Sequence, residues 1–127
     1  MRRMLVSAMV LVALSGCAWD DSYPSFQREA TQRDRPPDEV RGMIDEQFTD
    51  PEIRFEVEYD GADIYLAREK DFAPCLVVAD GQDSFMACGG DGVTASGPDG
   101  LEFRLVPAPQ VERDGWRAIS DNVAVRD

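Results

Sequence analysis

The spacing of apolar residues changes from helical to alternating at Ile53, and this change indicates a mixed α+β fold. Upstream of it, four apolar residues recur at the interval of one helical face: Val40, Met43, Ile44 and Phe48. Gln47 is the only interruption of that face. The pair Pro36-Pro37 suits a helix start, because the first helical position needs no amide partner. The pattern predicts a helix packed on the core; a helix that binds a partner protein is the alternative.

Downstream of Ile53, apolar and charged residues alternate up to the pair Asp60-Gly61, which favours a two-residue hairpin turn. A turn at that pair predicts three facing pairs: Tyr59 with Ala62, Val57 with Ile64, and Phe55 with Leu66. In this register all the large apolar side chains lie on one face of the hairpin.

A second predicted hairpin carries two of the three cysteines. Residues 75–79 and 84–88 flank a turn within 80–83, and this register places Cys75 directly opposite Cys88. In an exported protein such a pair should oxidise to a disulfide, which would stabilise the fold by about 3 kcal/mol through loop closure. A redox-active pair is the alternative, but it lacks the C-x-x-C spacing and a nearby base.

The remaining elements complete the predicted fold. Residues 93–96 and 101–106 form another hairpin around Gly97-Pro98-Asp99-Gly100, and residues 123–126 form a last strand. Trp116 and Ile119 are expected to pack back onto the core. The prediction is an α+β domain with one N-terminal amphipathic helix on an antiparallel meander sheet of five or six strands, joined by one cross-strand disulfide.

Charge and composition exclude several classes of function. The chain has 13 basic and 25 acidic side chains and no histidine. Because phosphate backbones repel such a charge, nucleic acid is not expected as a partner. The missing histidine removes Ser-His-Asp and Cys-His catalysis and the usual zinc sites.

Carboxylates are the remaining side chains that could catalyse a reaction or bind a metal ion. The densest group is Glu56, Glu58, Asp60 and Asp63, which the predicted hairpin places on its polar face or in its turn. Solvated charge is the ordinary outcome for such residues. The loops at 60–63, 80–83 and 89–92 mix Asp with Gly but do not match a calcium-loop spacing. No catalytic residue, no metal ligand and no cofactor is therefore predicted.

The first residues have the form of an export leader. A basic start at Arg2-Arg3 precedes the apolar residues 5–14, which are too few to span a bilayer. The stretch Leu14-Ser15-Gly16-Cys17 that follows resembles the lipobox of bacterial lipoproteins. The resemblance implies cleavage between Gly16 and Cys17 and a covalent lipid on Cys17, whose acyl chains would hold the protein on a bilayer.

Three regions follow from the leader. Residues 1–16 are predicted to be a lipoprotein signal peptide, 17–35 a lipidated flexible tether, and 36–127 the α+β domain. The tether is polar, and its aromatic residues follow neither a helical nor a strand period. Without the leader the chain keeps 11 basic against 25 acidic side chains, a net charge of −14.

From Asp63 onward the chain resembles a group of small uncharacterised envelope proteins of actinobacteria. The similar stretches are residues 64–68, 75–78, 87–88, 103–107 and 120–123. The resemblance covers about half the chain, and no activity is attached to that group. It implies only an exported, disulfide-linked domain.

Together these features predict a lipoprotein anchored on the outer, extracytoplasmic face of the cell membrane. We expect its domain to be a non-catalytic module that binds an envelope protein or glycan. A regulatory or inhibitory partner of another envelope protein is the first alternative. A hydrolase that uses carboxylates alone is the second.

Overall fold

A computed structural model describes residues 22–90, 92–97 and 99–127. It contains one α-helix, two four-stranded antiparallel sheets and three short 3₁₀ turns among these residues. The helix is α1 (Asp38–Gln47). The strands are β1 (Glu52–Tyr59), β2 (Ala62–Arg68), β3 (Cys75–Ala79), β4 (Phe85–Ala87), β5 (Thr94–Ser96), β6 (Glu102–Leu105), β7 (Arg117–Ala118) and β8 (Val123–Arg126). No helix in the described part of the chain is long and apolar enough to cross a membrane.

The two sheets replace the single meander that the sequence predicts. The first sheet has the strand order β1-β2-β3-β4, and the second has the order β5-β6-β8-β7. Gly90 and Gly92, both at positive φ, lie where the chain leaves β4 for the second sheet. Because glycine adopts this conformation without steric cost, the chain can turn away here instead of adding β5 to the edge of the first sheet.

The first sheet is buried on both of its faces. One face packs against the second sheet in a shared core, to which Leu66 and Leu76 contribute from the first sheet and Leu105 and Val125 from the second. The other face packs against α1, where Val40 and Ile44 are buried. The molecule is therefore built of three layers, with the helix outermost. The helix lies mid-chain, because residues 22–35 precede it and belong to the fold.

The hairpin between β1 and β2 follows the predicted register only near its turn. Tyr59 pairs with Ala62 and Val57 with Ile64, as predicted, and the turn residues Asp60 and Gly61 both have positive φ. A β-bulge at Glu56 then shifts the register. The predicted pairing of Phe55 with Leu66 is wrong, since Phe55 lies opposite Tyr65.

The bulge distributes the apolar residues of β1 between two cores. Val57 and Tyr59 pack in the core between the sheets, whereas Ile53 and Phe55 pack in the core beneath α1. A regular strand places residues two apart on the same face, so the sequence pattern assigns all four to one core. The extra residue at Glu56 allows β1 to contribute apolar side chains to both cores.

Candidate functional site

Residues 22–35, the N-terminal segment, are fastened to the edge of β1 by two charged side chains. The carboxylate of Asp34 accepts hydrogen bonds from both terminal nitrogens of Arg28, at 2.7 Å each. It also accepts one from the backbone N–H of Phe55 at 2.7 Å, while Arg28 donates to the carbonyl oxygen of Phe55 at 3.2 Å. Because β1 is an edge strand, the two side chains occupy backbone groups that another strand could otherwise pair with.

Asp34 is only 4 % exposed and is held in its charged form. Burial by itself would raise the pKa of this carboxyl, but hydrogen bonds from Arg28 and from the backbone N–H groups of Thr31 and Phe55 outweigh it. The pKa of Asp34 therefore lies far below its usual range. The contact with Asp34 raises the pKa of Arg28 in turn. Asp34 is thus a structural anion rather than a proton donor.

Two aromatic residues of the N-terminal segment belong to the core that the two sheets share. Tyr23 is fully buried and Phe26 is 8 % exposed. The guanidinium of Arg68 lies 4.0 Å from the centroid of the Phe26 ring and forms an ion pair with Glu52 at 3.2 Å. The expectation of a flexible tether therefore does not hold over residues 22–35. Tyr23 and Phe26 bury apolar surface that a spacer would leave in water.

The start of the segment is attached to the second sheet. Asn122 is fully buried, and its side-chain nitrogen donates to the carbonyl oxygens of Ser22 at 2.6 Å and Val106 at 2.8 Å. The backbone N–H of Ala108 also donates to the carbonyl oxygen of Ser22, at 2.8 Å. The chain is thus bound to the domain from its first described residue.

Glu56 connects the N-terminal segment to both sheets. Its carboxylate accepts hydrogen bonds from the hydroxyl of Ser25 at 2.5 Å and from the hydroxyl of Ser120 at 2.8 Å. Ser120 precedes β8, so one side chain of β1 reaches across to the second sheet. The β-bulge gives Glu56 this direction, because the extra residue is released from regular alternation.

A pocket of about 600 Å³ opens between the N-terminal segment, α1 and the start of β1. Its lining residues are Ala30, Thr31, Gln32, Asp34, Arg35, Arg41, Pro51, Glu52, Ile53 and Arg54. Three of them are arginines, in a chain whose acidic residues outnumber its basic ones by 12. The pocket therefore differs in sign from the chain as a whole.

Both acidic residues in the pocket lining already have cationic partners outside it. Asp34 is bound by Arg28, and Glu52 is bound by the buried Arg68. Arg54 donates to the backbone carbonyls of Arg28 and Ile53, which neutralise no charge.

The other two arginines are at most partly compensated. Arg35 forms no side-chain hydrogen bond or ion pair with any described residue. Arg41 forms an exposed pair with Asp45 at 3.0 Å, through one of its three nitrogens. The pocket lining thus keeps a positive charge that the described residues only partly neutralise.

A different end of the molecule is acidic. Asp60, Asp99 and Asp127 border a cavity of about 210 Å³ next to the β1–β2 turn. Asp80 borders a smaller one of about 50 Å³ beside it. Within residues 22–90, 92–97 and 99–127, no three His, Cys, Asp or Glu side chains lie close enough together to hold a metal ion.

The acidic group that the sequence singles out does not converge. Glu56 is bound to two serine hydroxyls, as described, and Asp60 lies in the exposed turn. Asp63 and Glu58 both face Arg33, at 3.1 and 3.8 Å. The structure therefore does not bring these carboxylates together around a shared cavity.

Of the cysteines, Cys75 and Cys88 are joined by a disulfide, as predicted, and they face each other in the predicted β3–β4 register. Cys17 and Gly16 lie outside the described residues, so lipidation and cleavage remain predictions. Sequence reasoning missed the pocket, because its arginines come from three separate elements. The signal that the sequence offers is that five of its twelve arginines lie within residues 28–54.

No family model matches the chain, and no curated protein or solved structure matches it significantly.

Proposed function

We propose that the protein is a lipoprotein of the bacterial cell envelope, anchored through acyl chains on Cys17 to the outer face of the membrane. Its folded domain acts as a non-catalytic binding or accessory module. The leader and the Leu14-Ser15-Gly16-Cys17 stretch support the anchor.

The observation that supports this proposal is that Ser22, close in sequence to Cys17, is hydrogen-bonded to the folded domain. Only five residue steps separate Cys17 from Ser22, and this length of chain spans at most about 18 Å. Because Asn122 and Ala108 hold Ser22 against the second sheet, the domain would stand directly at the anchor. A module so placed is suited to bind a molecule at or near the membrane surface.

A hydrolase based on two carboxylates receives less support. Such an enzyme needs one carboxyl whose pKa is raised, so that it can donate a proton near neutral pH. Asp34, the most deeply buried carboxylate among the described residues, has its pKa shifted in the opposite direction. The half-buried Glu56 is bound by two hydroxyl donors that connect parts of the fold.

The anchor can be tested by intact mass and membrane fractionation after expression in a bacterium that processes lipoproteins. We expect the wild type to carry acyl mass and to fractionate with membranes. Cys17→Ser should lose both properties, and the neighbouring control Ala18→Ser should keep both. A soluble, unmodified wild type would contradict the proposal, as would membrane retention of Cys17→Ser.

A further inference from the structure

We propose that the arginine-lined pocket binds a small hydrophilic oxyanion, a carboxylate or phosphate group, through Arg35, Arg41 and Arg54. This inference deepens the binding role proposed above and rests on it, since it names the chemistry of the ligand. It does not depend on whether Cys17 carries lipid.

The local balance of charge is the first argument. Each carboxylate in the lining is held by an arginine outside it, with Asp34 bound to Arg28 and Glu52 to Arg68. These acids therefore do not compete for the lining arginines. Guanidinium groups bind carboxylates and phosphates through paired hydrogen bonds. Arg35 and Arg54 have no carboxylate partner among the described residues, and Arg41 shares only its Nε with the exposed Asp45, so these groups are suited to an oxyanion.

The rigidity of the pocket wall is the second argument. Asp34 accepts hydrogen bonds from Arg28 and from the backbone of Thr31 and Phe55, which fixes the N-terminal segment that forms one side. Arg54 is oriented by its contacts with the carbonyls of Arg28 and Ile53. A site whose groups are already ordered loses less entropy when the ligand binds.

The size and polarity of the pocket define the ligand further. Its volume of about 600 Å³ falls within the range of small-molecule sites. Thr31 and Gln32 add polar groups to the lining, and its apolar residues are Ala30, Pro51 and Ile53. A hydrophilic molecule with one or two anionic groups suits this lining better than an apolar one.

The acidic character of the rest of the chain does not cancel this local field. Charges in solution are screened beyond about 8 Å at physiological ionic strength. The carboxylates at the acidic end belong to a different cavity, bordered by Asp60, Asp99 and Asp127. The carboxylates of Asp60, Asp99 and Asp127, at the far end of β1, therefore have little effect on an oxyanion inside the pocket.

The proposal is tested by calorimetric titration of the exported chain carrying Cys17→Ser, which keeps every described residue. The probes are inorganic phosphate and citrate. We expect binding of at least one of them with a Kd of about 0.1–1 mM, weakened when salt is raised from about 0.05 M to about 0.5 M.

Two pocket variants and one control make the titration specific. Arg35→Gln removes one positive charge from the lining without breaking a side-chain hydrogen bond to any described residue. The double variant Arg35→Gln/Arg54→Gln removes two positive charges from the lining. The control, Lys70→Gln/Arg113→Gln, changes the net charge equally at two exposed positions outside the pocket. The double pocket variant should weaken binding at least about tenfold and the control less than about twofold. Circular dichroism verifies that each variant is folded.

A second arm distinguishes a soluble ligand from a lipid headgroup. The same proteins are co-sedimented with vesicles of phosphatidylcholine alone and with vesicles containing phosphatidylglycerol. Binding to the anionic vesicles that is lost in the double pocket variant but not in the control identifies the oxyanion as a headgroup phosphate. Binding of phosphate or citrate without vesicle binding identifies a soluble ligand.

Two results overturn the proposal. One is the absence of binding to phosphate, citrate and anionic vesicles alike. The other is binding that the pocket variants and the control reduce equally, which would reflect net charge alone. Either failure leaves the mass and fractionation of the wild type unchanged, so it is distinguishable from failure of the lipid anchor.

Discussion

Asp34 and Arg28 together complete the edge of strand β1 at Phe55. The carboxylate of Asp34 accepts a hydrogen bond from the backbone N–H of Phe55, and the guanidinium of Arg28 donates one to the carbonyl oxygen of Phe55. One ion pair thus supplies both the acceptor and the donor that a neighbouring strand would supply. An edge strand covered in this way is protected from pairing with another chain.

The first prediction concerns the stability that Asp34 provides. In Asp34→Asn the side chain keeps one acceptor oxygen and loses its charge, although Arg28 and two backbone N–H groups still face it. We expect the free energy of unfolding to fall by about 2–4 kcal/mol, as measured by urea denaturation.

Asp45→Asn is the matched control for this measurement. Asp45 also pairs with an arginine, Arg41, but both side chains are about half exposed. Exposed pairs contribute little, so the loss should stay within about 0.5 kcal/mol. Equal losses in the two variants would show that the Asp34 contact is no stronger than a surface pair.

The second prediction concerns acid pH. The pKa of Asp34 is lowered in the folded state, so its contribution to stability is complete above the ordinary aspartate pKa of about 4. That contribution is lost as the pH falls from about 4 toward the lowered folded-state pKa. The difference in unfolding free energy between wild type and Asp34→Asn should therefore shrink below about pH 4, as followed by denaturant titrations at successive pH values. A difference that stays constant down to about pH 2 would contradict the lowered pKa.

The third prediction concerns the disulfide. Cys75 is buried in β3, while Cys88 is exposed just after β4, so a reductant can reach the bond. Loop-closure entropy predicts that Cys75→Ala/Cys88→Ala loses about 3 kcal/mol of unfolding free energy. Dithiothreitol should lower the Tm of the wild type and leave that of the double variant unchanged. No response of the wild type to dithiothreitol would show that the bond does not stabilise the fold.

The sequence predicts well those features that depend on neighbouring residues. The Asp60-Gly61 turn and the β3–β4 register, with Cys75 opposite Cys88, follow from turn chemistry and counting along the strands. Helix α1 follows from its apolar spacing, although it begins two residues after Pro36.

Features that depend on contacts between distant segments are not predicted. Tyr23 and Phe26 are buried without any periodic pattern, because they pack from an irregular segment with a short 3₁₀ turn. The continuous apolar run of β3, residues 75–79, is typical of a strand covered on both faces. That run was an available signal for the second sheet. The pocket depends on Arg35, Arg41 and Arg54 meeting from different elements, which the sequence pattern does not show.

The β-bulge leads to the fourth prediction, which compares two deletions in β1. Removing Glu56 leaves Phe55 opposite Tyr65 and Val57 opposite Ile64, so the strand becomes regular with its pairs intact. Deletion of Glu56 should therefore cost no more than Glu56→Ala, about 2–3 kcal/mol for the lost hydrogen bonds. Deletion of Glu58 shifts the register within the regular part of the strand and brings Glu56 opposite Ile64. Because this places a charged side chain in the core, the deletion should abolish folding. The substitution Glu58→Ala should be nearly neutral, since Glu58 makes only a long, exposed ion pair. Thermal unfolding of the two deletions and the two alanine variants measures these differences. If both deletions destabilise the protein equally, β1 has no bulge and is regular, as its alternating sequence pattern suggests.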